Sequence, residues 1–472
     1  MNPVRLLRKL AAKILCRSKR QKAAADKMSP SQAVTIPYFW APIIFLVLQS
    51  LAATFGALDL IVPDLPIPIN LETGRAFHLN LSVLWPLLGC MGASYYFFVE
   101  ESKSELHSTP LVVWQFRLFI LTTVGILASL MFGCLRGMEY EEAAFPFHLG
   151  IAAVLVIFLY NLLRSYFKAA KTRGRITLLA ILTGSILLLV LYLPNVFNYS
   201  QPTVSELVRF WVVHLWEELS KELILFGVLA ALLLKVSTVQ RDKLERILFV
   251  QLVLLIIGAI FATGHHYYWI GVPAFWQWIG GTFSVIQIIG IFLLCWILYL
   301  GLTHITWAEV DPGMRLTFGF ITASVFYHLL GAATLGMLIA VPQINRYCSA
   351  TYLTSAHAHF ALYGAVGMLV QGICIYVLTR KAELSSKEYR HGWWGFALHN
   401  AGLLTMGSAL TIAGILQTYL LRVTGLDFLT TSTLLRPYLF VRTLGGACFA
   451  AGALLYGRSI LWCFWRNRHQ YN

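Results

Sequence analysis

Twelve apolar runs, each close to the length that crosses a bilayer, constrain this chain more than any motif does. They fall at about 38–60, 78–99, 113–134, 147–167, 176–194, 206–235, 245–268, 276–301, 316–340, 353–378, 394–420 and 437–463. A helix spans hydrocarbon with roughly twenty apolar residues and satisfies its own backbone there. The spacing therefore predicts an all-α, polytopic membrane protein. Its parts are a basic segment 1–37, a twelve-helix membrane domain 38–463 and a short tail 464–472. Composition excludes an ordinary soluble globule, since 58% of the residues are hydrophobic and only 12% charged. The 14 Trp suit aromatic belts at the two interfaces.

A net charge of +15 could suggest nucleic acid, but the basic residues sit in alternate loops. Arg164, Lys168, Lys171, Arg173 and Arg175 follow the fourth run, and Lys235, Arg241, Lys243 and Arg246 follow the sixth. Arg380, Lys381, Lys387 and Arg390 follow the tenth, while 195–205 and 269–275 hold no Lys or Arg. The positive-inside rule then places both termini in the cytoplasm. Residues 1–37 carry nine Lys/Arg beside Leu6, Leu7, Leu10, Ile14 and Leu15, which suits a segment lying on anionic lipid better than a cleaved signal peptide. The eight Cys are scattered, with no CxxC and no CxxCH, so no zinc ribbon, redox dithiol or covalently attached c-type haem is expected.

The sixth run departs from the rest. His214, Glu217, Glu218, Lys221 and Glu222 interrupt it, and at α-helical spacing they fall within one arc of about 140°. Ionisable groups at membrane depth normally face the bundle interior and mark a functional site. This helix reads as one wall of a buried metal centre with a proton-handling carboxylate pair.

Further histidines supply the other walls. His265 and His266 end the seventh run, and with His214 they would make a three-histidine site suited to iron, copper or zinc. His357 and His359 lie about 200° apart on the tenth run, so they suit two metals on opposite faces, most naturally two haems. His78, at the head of the second run, is the expected second axial ligand of the low-spin haem. His148, His328 and His399 read as packing or hydrogen-bonding histidines.

Together these motifs resemble a known family. HLWEELSKE at 214–222, TGHHYYWIG at 263–271, WQWIGGTFS at 276–284 and HAHF at 357–360 are similar to the haem–copper oxidase superfamily. More narrowly, with HLNLSVLWPLLGCMGASYYFFVEES at 78–102 and VRTLGG at 441–446, they resemble the catalytic subunit of bacterial cytochrome c-dependent nitric oxide reductases. The resemblance implies a low-spin haem b held by His78 and His359, and a high-spin haem b3 on His357. It also implies a non-haem iron, FeB, held by His214, His265, His266 and the Glu218 carboxylate. Glu222 would be the second acid of a proton path, and Glu139 a calcium ligand at the haem propionates. The implied reaction is 2 NO + 2 e⁻ + 2 H⁺ → N₂O + H₂O. The implied location is the bacterial inner membrane, among lipid and next to an electron-donor subunit.

Two features of the residues favour this narrower likeness. Oxygen-reducing relatives carry a tyrosine four residues after the first metal histidine, where this chain has Glu218. A hard carboxylate beside imidazoles also favours iron over copper. The chain departs from the family pattern at Glu217, Ser220, Lys221, Gln287 and His328. Glu217 and Lys221 stand in the favourable order for an i,i+4 ion pair. The expected donor is a membrane-anchored cytochrome c subunit, with a CuA-bearing subunit second. Three alternatives stand beside this reading: a terminal oxidase reducing O₂, a relative with NO-dismutating chemistry, and a non-catalytic haem-binding membrane protein.

Overall fold

The structure is a computed structural model that describes residues 28–62, 65–67, 69–136 and 142–471. Its membrane helices are α1 (Pro30–Ile61), α2 (Leu71–Ser102), α3 (Thr109–Met131), α4 (Phe145–Lys168), α5 (Ile176–Val196) and α6 (202–236). They continue as α7 (Arg241–His266), α8 (Phe275–Thr303), α9 (Pro312–Ala340), α10 (Tyr352–Thr379), α11 (Ser386–Arg422) and α12 (Phe428–Arg466). Among the described residues, eleven are long and apolar enough to cross a membrane. The chain is a multi-pass, all-α membrane protein. The exception is α6, which is as long as the others but is interrupted by Glu206, Arg209, Glu217, Glu218, Lys221 and Glu222. Residues 1–27 and 137–141, Glu139 among them, lie outside the described residues.

Helix starts follow local chemistry. Asn70, Ser108 and Asp427 each accept a backbone N–H from the first turn of α2, α3 and α12. Ser385 and Glu388 form a reciprocal capping box at the head of α11. Proline opens α3, α4, α6 and α9, where its missing N–H costs nothing.

Burial distinguishes the inner helices from the outer ones. In the most apolar window of α2, 94% of residues are buried, and in α10 83%, against a third to a half in the other spans. The inner half of α6, from Leu223 to Leu233, is also buried throughout. These three helices form the centre, and the rest present Leu, Ile, Phe and Trp outward to lipid. Three π-helical segments interrupt the central region: Val212–Leu219 in α6, His328–Leu335 in α9 and His359–Gly367 in α10. Such segments are rare and concentrate at functional sites.

The π segment also revises the single arc expected for α6. Its i→i+5 bonding advances each residue by less than an α-helix does, so the five ionisable residues divide. His214, Glu218 and Glu222 line a large cavity. Lys221 instead packs toward α2, donating to the Glu217 carboxylate and, at 3.3 Å, to the Val83 carbonyl. At 0% exposure Lys221 does not snorkel to an interface. It lies 5.7 Å from the Trp216 ring centre, and its charge is matched locally.

Basic loop residues meet at one end of the bundle. Glu100 pairs with Lys103, Lys235 and Arg380, and Glu101 takes both Arg241 guanidinium nitrogens at 2.7 and 3.1 Å. The C-terminal end of α2 thus ties together the connections after α6 and α10.

Removing one partner of the buried Lys221–Glu217 pair leaves a charge without compensation. Lys221→Met should destabilise the protein by about 3–5 kcal/mol, and adding Glu217→Leu should recover most of the loss. Thermal unfolding of the single and double variants in detergent checks this, and equal losses in both would contradict it.

Candidate functional site

The cavity that α6 faces has a volume of about 690 Å³ and lies between α6, α7, α8, α9 and α10. Three histidines converge on it. The ring centres of His214 and His265 are 5.1 Å apart, those of His214 and His266 5.0 Å, and those of His265 and His266 4.2 Å. One potential donor atom from each lies within 4.8 Å of the other two. His214 comes from the π segment of α6, while His265 and His266 sit in the 3-10 turn that closes α7.

The donor geometry suits one metal ion. His214 Nδ1 lies 3.1 Å from His266 Nε2 and 3.3 Å from Glu218 Oε2. Two donors on a single tetrahedral ion with bonds of 2.0–2.1 Å would stand about 3.3 Å apart. The other side of the cluster is fixed as a ligand requires. Ser284 donates its hydroxyl to the Gly280 carbonyl at 2.7 Å, so it accepts from His265 Nδ1–H at 3.0 Å and leaves Nε2 free.

His357 stands on the facing wall. The Gly331 carbonyl can only accept, so His357 Nδ1 donates to it at 2.9 Å and Nε2 is left toward the cavity. Glycines allow this approach. A Cβ at position 336 would lie 2.8 Å from His357 Cε1, and one at 331 only 2.3 Å from Phe360 Cβ.

His359 faces the other way on α10, opposite His78 of α2, with ring centres 5.8 Å apart and planes inclined by 23°. Imidazole–metal bonds of 2.0–2.1 Å, with each ring centre roughly 1.1 Å behind its nitrogen, would put two axial ligands of one iron about 6 Å apart. His359 Nδ1 donates to the Ser355 carbonyl at 2.7 Å, and His78 Nδ1 lies 3.2 Å from the Gln49 amide. Gln49 is held in turn by the Trp85 indole N–H at 2.6 Å. Arg442 and Arg75 lie within electrostatic reach of His78, where the acidic side chains of a haem would need cations. The residues present therefore fit haem on both faces of α10 and a metal among the α6 and α7 histidines.

The structure thus brings His214, Glu218, His265, His266 and His357 to one cavity and pairs His78 with His359. Glu222 lines the same cavity one turn beyond Glu218. Its ionisable partner is His328, which the sequence suggests as a packing or hydrogen-bonding histidine: His328 Nε2 lies 3.6 Å from Glu222 Oε1. His148 is satisfied by the Tyr192 hydroxyl and the Ala143 carbonyl, as a hydrogen-bonding histidine should be. His399 is fully buried, with neither ring nitrogen hydrogen-bonded. Gln49, Ser284 and Gly331 were missed as partners of the histidines, because nothing local in the sequence connects α1 with α2, α7 with α8, or α9 with α10.

Gly336→Val should push the His357 ring off the cavity wall at a stability cost of about 1–3 kcal/mol, and with it any haem that His357 holds. Haem content and the optical spectrum of the purified variant check it, and an unaltered spectrum would contradict it.

Comparison with known proteins places this architecture. Residues 33–448 match the family described as cytochrome c and quinol oxidase polypeptide I. The chain is 32% identical to a nitric oxide reductase subunit of Stutzerimonas stutzeri, over 90% of this chain and 94% of that one. It is 25% identical to a cytochrome c oxidase subunit 1 homolog of Agrobacterium tumefaciens (strain T37), over 88% and 80% of the two chains. Among solved structures, a haem–copper terminal oxidase superposes with a TM-score of 0.67 at 14% identity, covering 93% of this chain and 84% of that one, a likeness of fold. The chain belongs to the cytochrome c and quinol oxidase polypeptide I family, and within it to the nitric oxide reductase branch.

Proposed function

We propose that this chain is the catalytic subunit of a nitric oxide reductase, converting two NO, two electrons and two protons to N₂O and water. The observation that carries the reading is the donor set on the cavity: His214, His265 and His266 with the Glu218 carboxylate, facing His357. Kinship with the Stutzerimonas stutzeri nitric oxide reductase chain supports the choice of substrate. His214, His265, His266 and Glu218 would hold a non-haem iron, His357 a high-spin haem b3, and His78 with His359 a low-spin haem b. When bound, these groups would relay electrons from the donor and supply the Lewis-acidic site at which NO is reduced.

The protein's own contribution is positioning, exclusion of water and proton supply. Ser284, Gly331 and Ser355 fix the tautomers of His265, His357 and His359, so each presents Nε2. Phe226, Ile288, Ile291 and Val366 give the cavity apolar walls, which suit a small uncharged gas. Glu222, which lines the cavity, would hold and release a proton there. Electrons would pass from a donor subunit to the His78–His359 side of α10 and then across that helix to the His357 side. A membrane-anchored cytochrome c is the donor that suits a chain without CxxCH, and a CuA subunit is the second choice. The basic end of the bundle, where Lys235, Arg241 and Arg380 gather, would face the cytoplasm of a bacterial inner membrane with both termini.

Metal analysis separates this reading from an oxygen-reducing oxidase. The purified protein should hold two b haems and one further iron without copper, and should consume NO with an artificial electron donor. His214→Ala should lose the extra iron while keeping the haems, and NO turnover should fall by at least about a hundredfold. One copper per two haems, or oxygen uptake without NO uptake, would sink the proposal.

A further inference from the structure

Part of the cavity wall lies beyond the metal donors, formed by Glu222 and Phe226 of α6, Gln251 of α7, Gln287 and Ile291 of α8, and Val366 of α10. Two observations set it apart. Gln251 is 1% exposed, and neither atom of its amide has a hydrogen-bond partner. Behind Glu222 stands His328, also 1% exposed, the first residue of the π segment of α9.

The orientation of His328 is determined. Its Nδ1 lies 3.1 Å from the Ser324 carbonyl one turn earlier, which can only accept, so Nδ1 carries a hydrogen. Nε2 makes no hydrogen bond and points at Glu222 Oε1, 3.6 Å away. The Phe226 ring, one turn beyond Glu222 on the same face of α6, lies 5.6 Å from the imidazole centre. A buried polar nitrogen facing a carboxylate is costly unless a proton or water is shared between them. The unpaired Gln251 amide and the Gln287 side chain mark this part of the wall as one where water can sit.

We infer that Glu222 and His328 act as one proton-storing pair, with His328 a positioning residue that works through Glu222. The inference rests on the nitric oxide reductase reading for what the proton is used for, but not for the pair itself. In the loaded state Nε2 bears a proton and Glu222 is a carboxylate, a matched ion pair in a buried wall. On transfer the Nε2–H bond breaks and an O–H bond forms on Glu222. Imidazolium becomes neutral imidazole, carboxylate becomes carboxylic acid, and no electrons move. Glu222 then faces the cavity with a proton to give, and the pair reloads through water at Gln251 and Gln287.

The other charged groups do not replace His328 in this role. Glu218, one turn earlier on α6, is turned to His214. Lys221 is committed to Glu217 and the Val83 carbonyl. His357 is tied to Gly331 on the wall opposite the α7 histidines. On this part of the wall α7, α8 and α10 contribute no charged side chain among the described lining residues.

Infrared difference spectroscopy of the purified holoprotein, titrated with pH, tests the pair directly. Glu222→Gln identifies the carboxylic C=O band. In the unaltered protein that band should change together with an imidazole ring band that His328→Asn removes. In His328→Asn the midpoint of the Glu222 band should move by at least about one pH unit, because its charged partner is gone. The proton-limited phase of a single turnover with NO should slow by roughly tenfold or more and become pH-dependent. Haem content serves as the folding control, and His328→Gln replaces the first variant if that one fails to assemble. A Glu222 band unmoved in both variants would overturn the inference and leave His328 a packing residue. A preparation lacking the extra iron would overturn the nitric oxide reductase reading instead, while the infrared coupling stayed readable.

Discussion

Burying charge in a low-dielectric interior is the constraint on which this structure turns. An ionised side chain at membrane depth costs several kcal/mol unless an opposite charge or a metal compensates it. The helix α6 carries five ionisable residues into the centre of the bundle, and their means of compensation differ. Glu217 and Lys221 neutralise each other against α2. His214 and Glu218 join the α7 histidines in a donor set that a cation would complete. Glu222 finds His328 across the helix interface. Polar chemistry therefore ties α6 to α2, α7 and α9, in addition to apolar packing.

Backbone irregularity makes that arrangement possible. A regular α-helix would send His214, Glu217 and Glu218 to positions fixed by a 100° step. The π segment of α6 redistributes them, so that one carboxylate turns to the cavity and its neighbour pairs with Lys221. The segments in α9 and α10 begin at His328 and His359. Gly331 and Gly336 then bring α9 close enough for a backbone carbonyl to orient His357.

Much of this was legible in the sequence. Hydropathy gave the helix order, because a bilayer demands long apolar runs and the chain supplies them at even spacing. The histidines stood out because imidazoles are expensive in such runs, and the opposite directions of His357 and His359 follow from a spacing of two on a helix. What escaped was whatever depends on contacts between distant segments or on departures from regular geometry. The division of the α6 stripe required knowing that its helix widens. His328 reads only as a packing or hydrogen-bonding histidine because its partner lies more than a hundred positions earlier, on another helix. Glu139 was singled out by resemblance and falls outside the described residues.

The widened turns also bear on how such a chain can change over generations. A π segment accommodates an extra residue within a turn, so a single-residue deletion there can be absorbed by rewinding to an ordinary helix. The helix would survive with its flanking turns in phase, but the residues inside the segment would be redirected. In α6 this would redirect His214 relative to Glu217 and Glu218; in α10 it would turn Tyr363 away from the neighbours it packs against. Length variation, well tolerated in the loops, is thus tightly restricted in three short stretches of the bundle, and a lineage that lost one residue there would keep a foldable membrane protein with a dismantled centre.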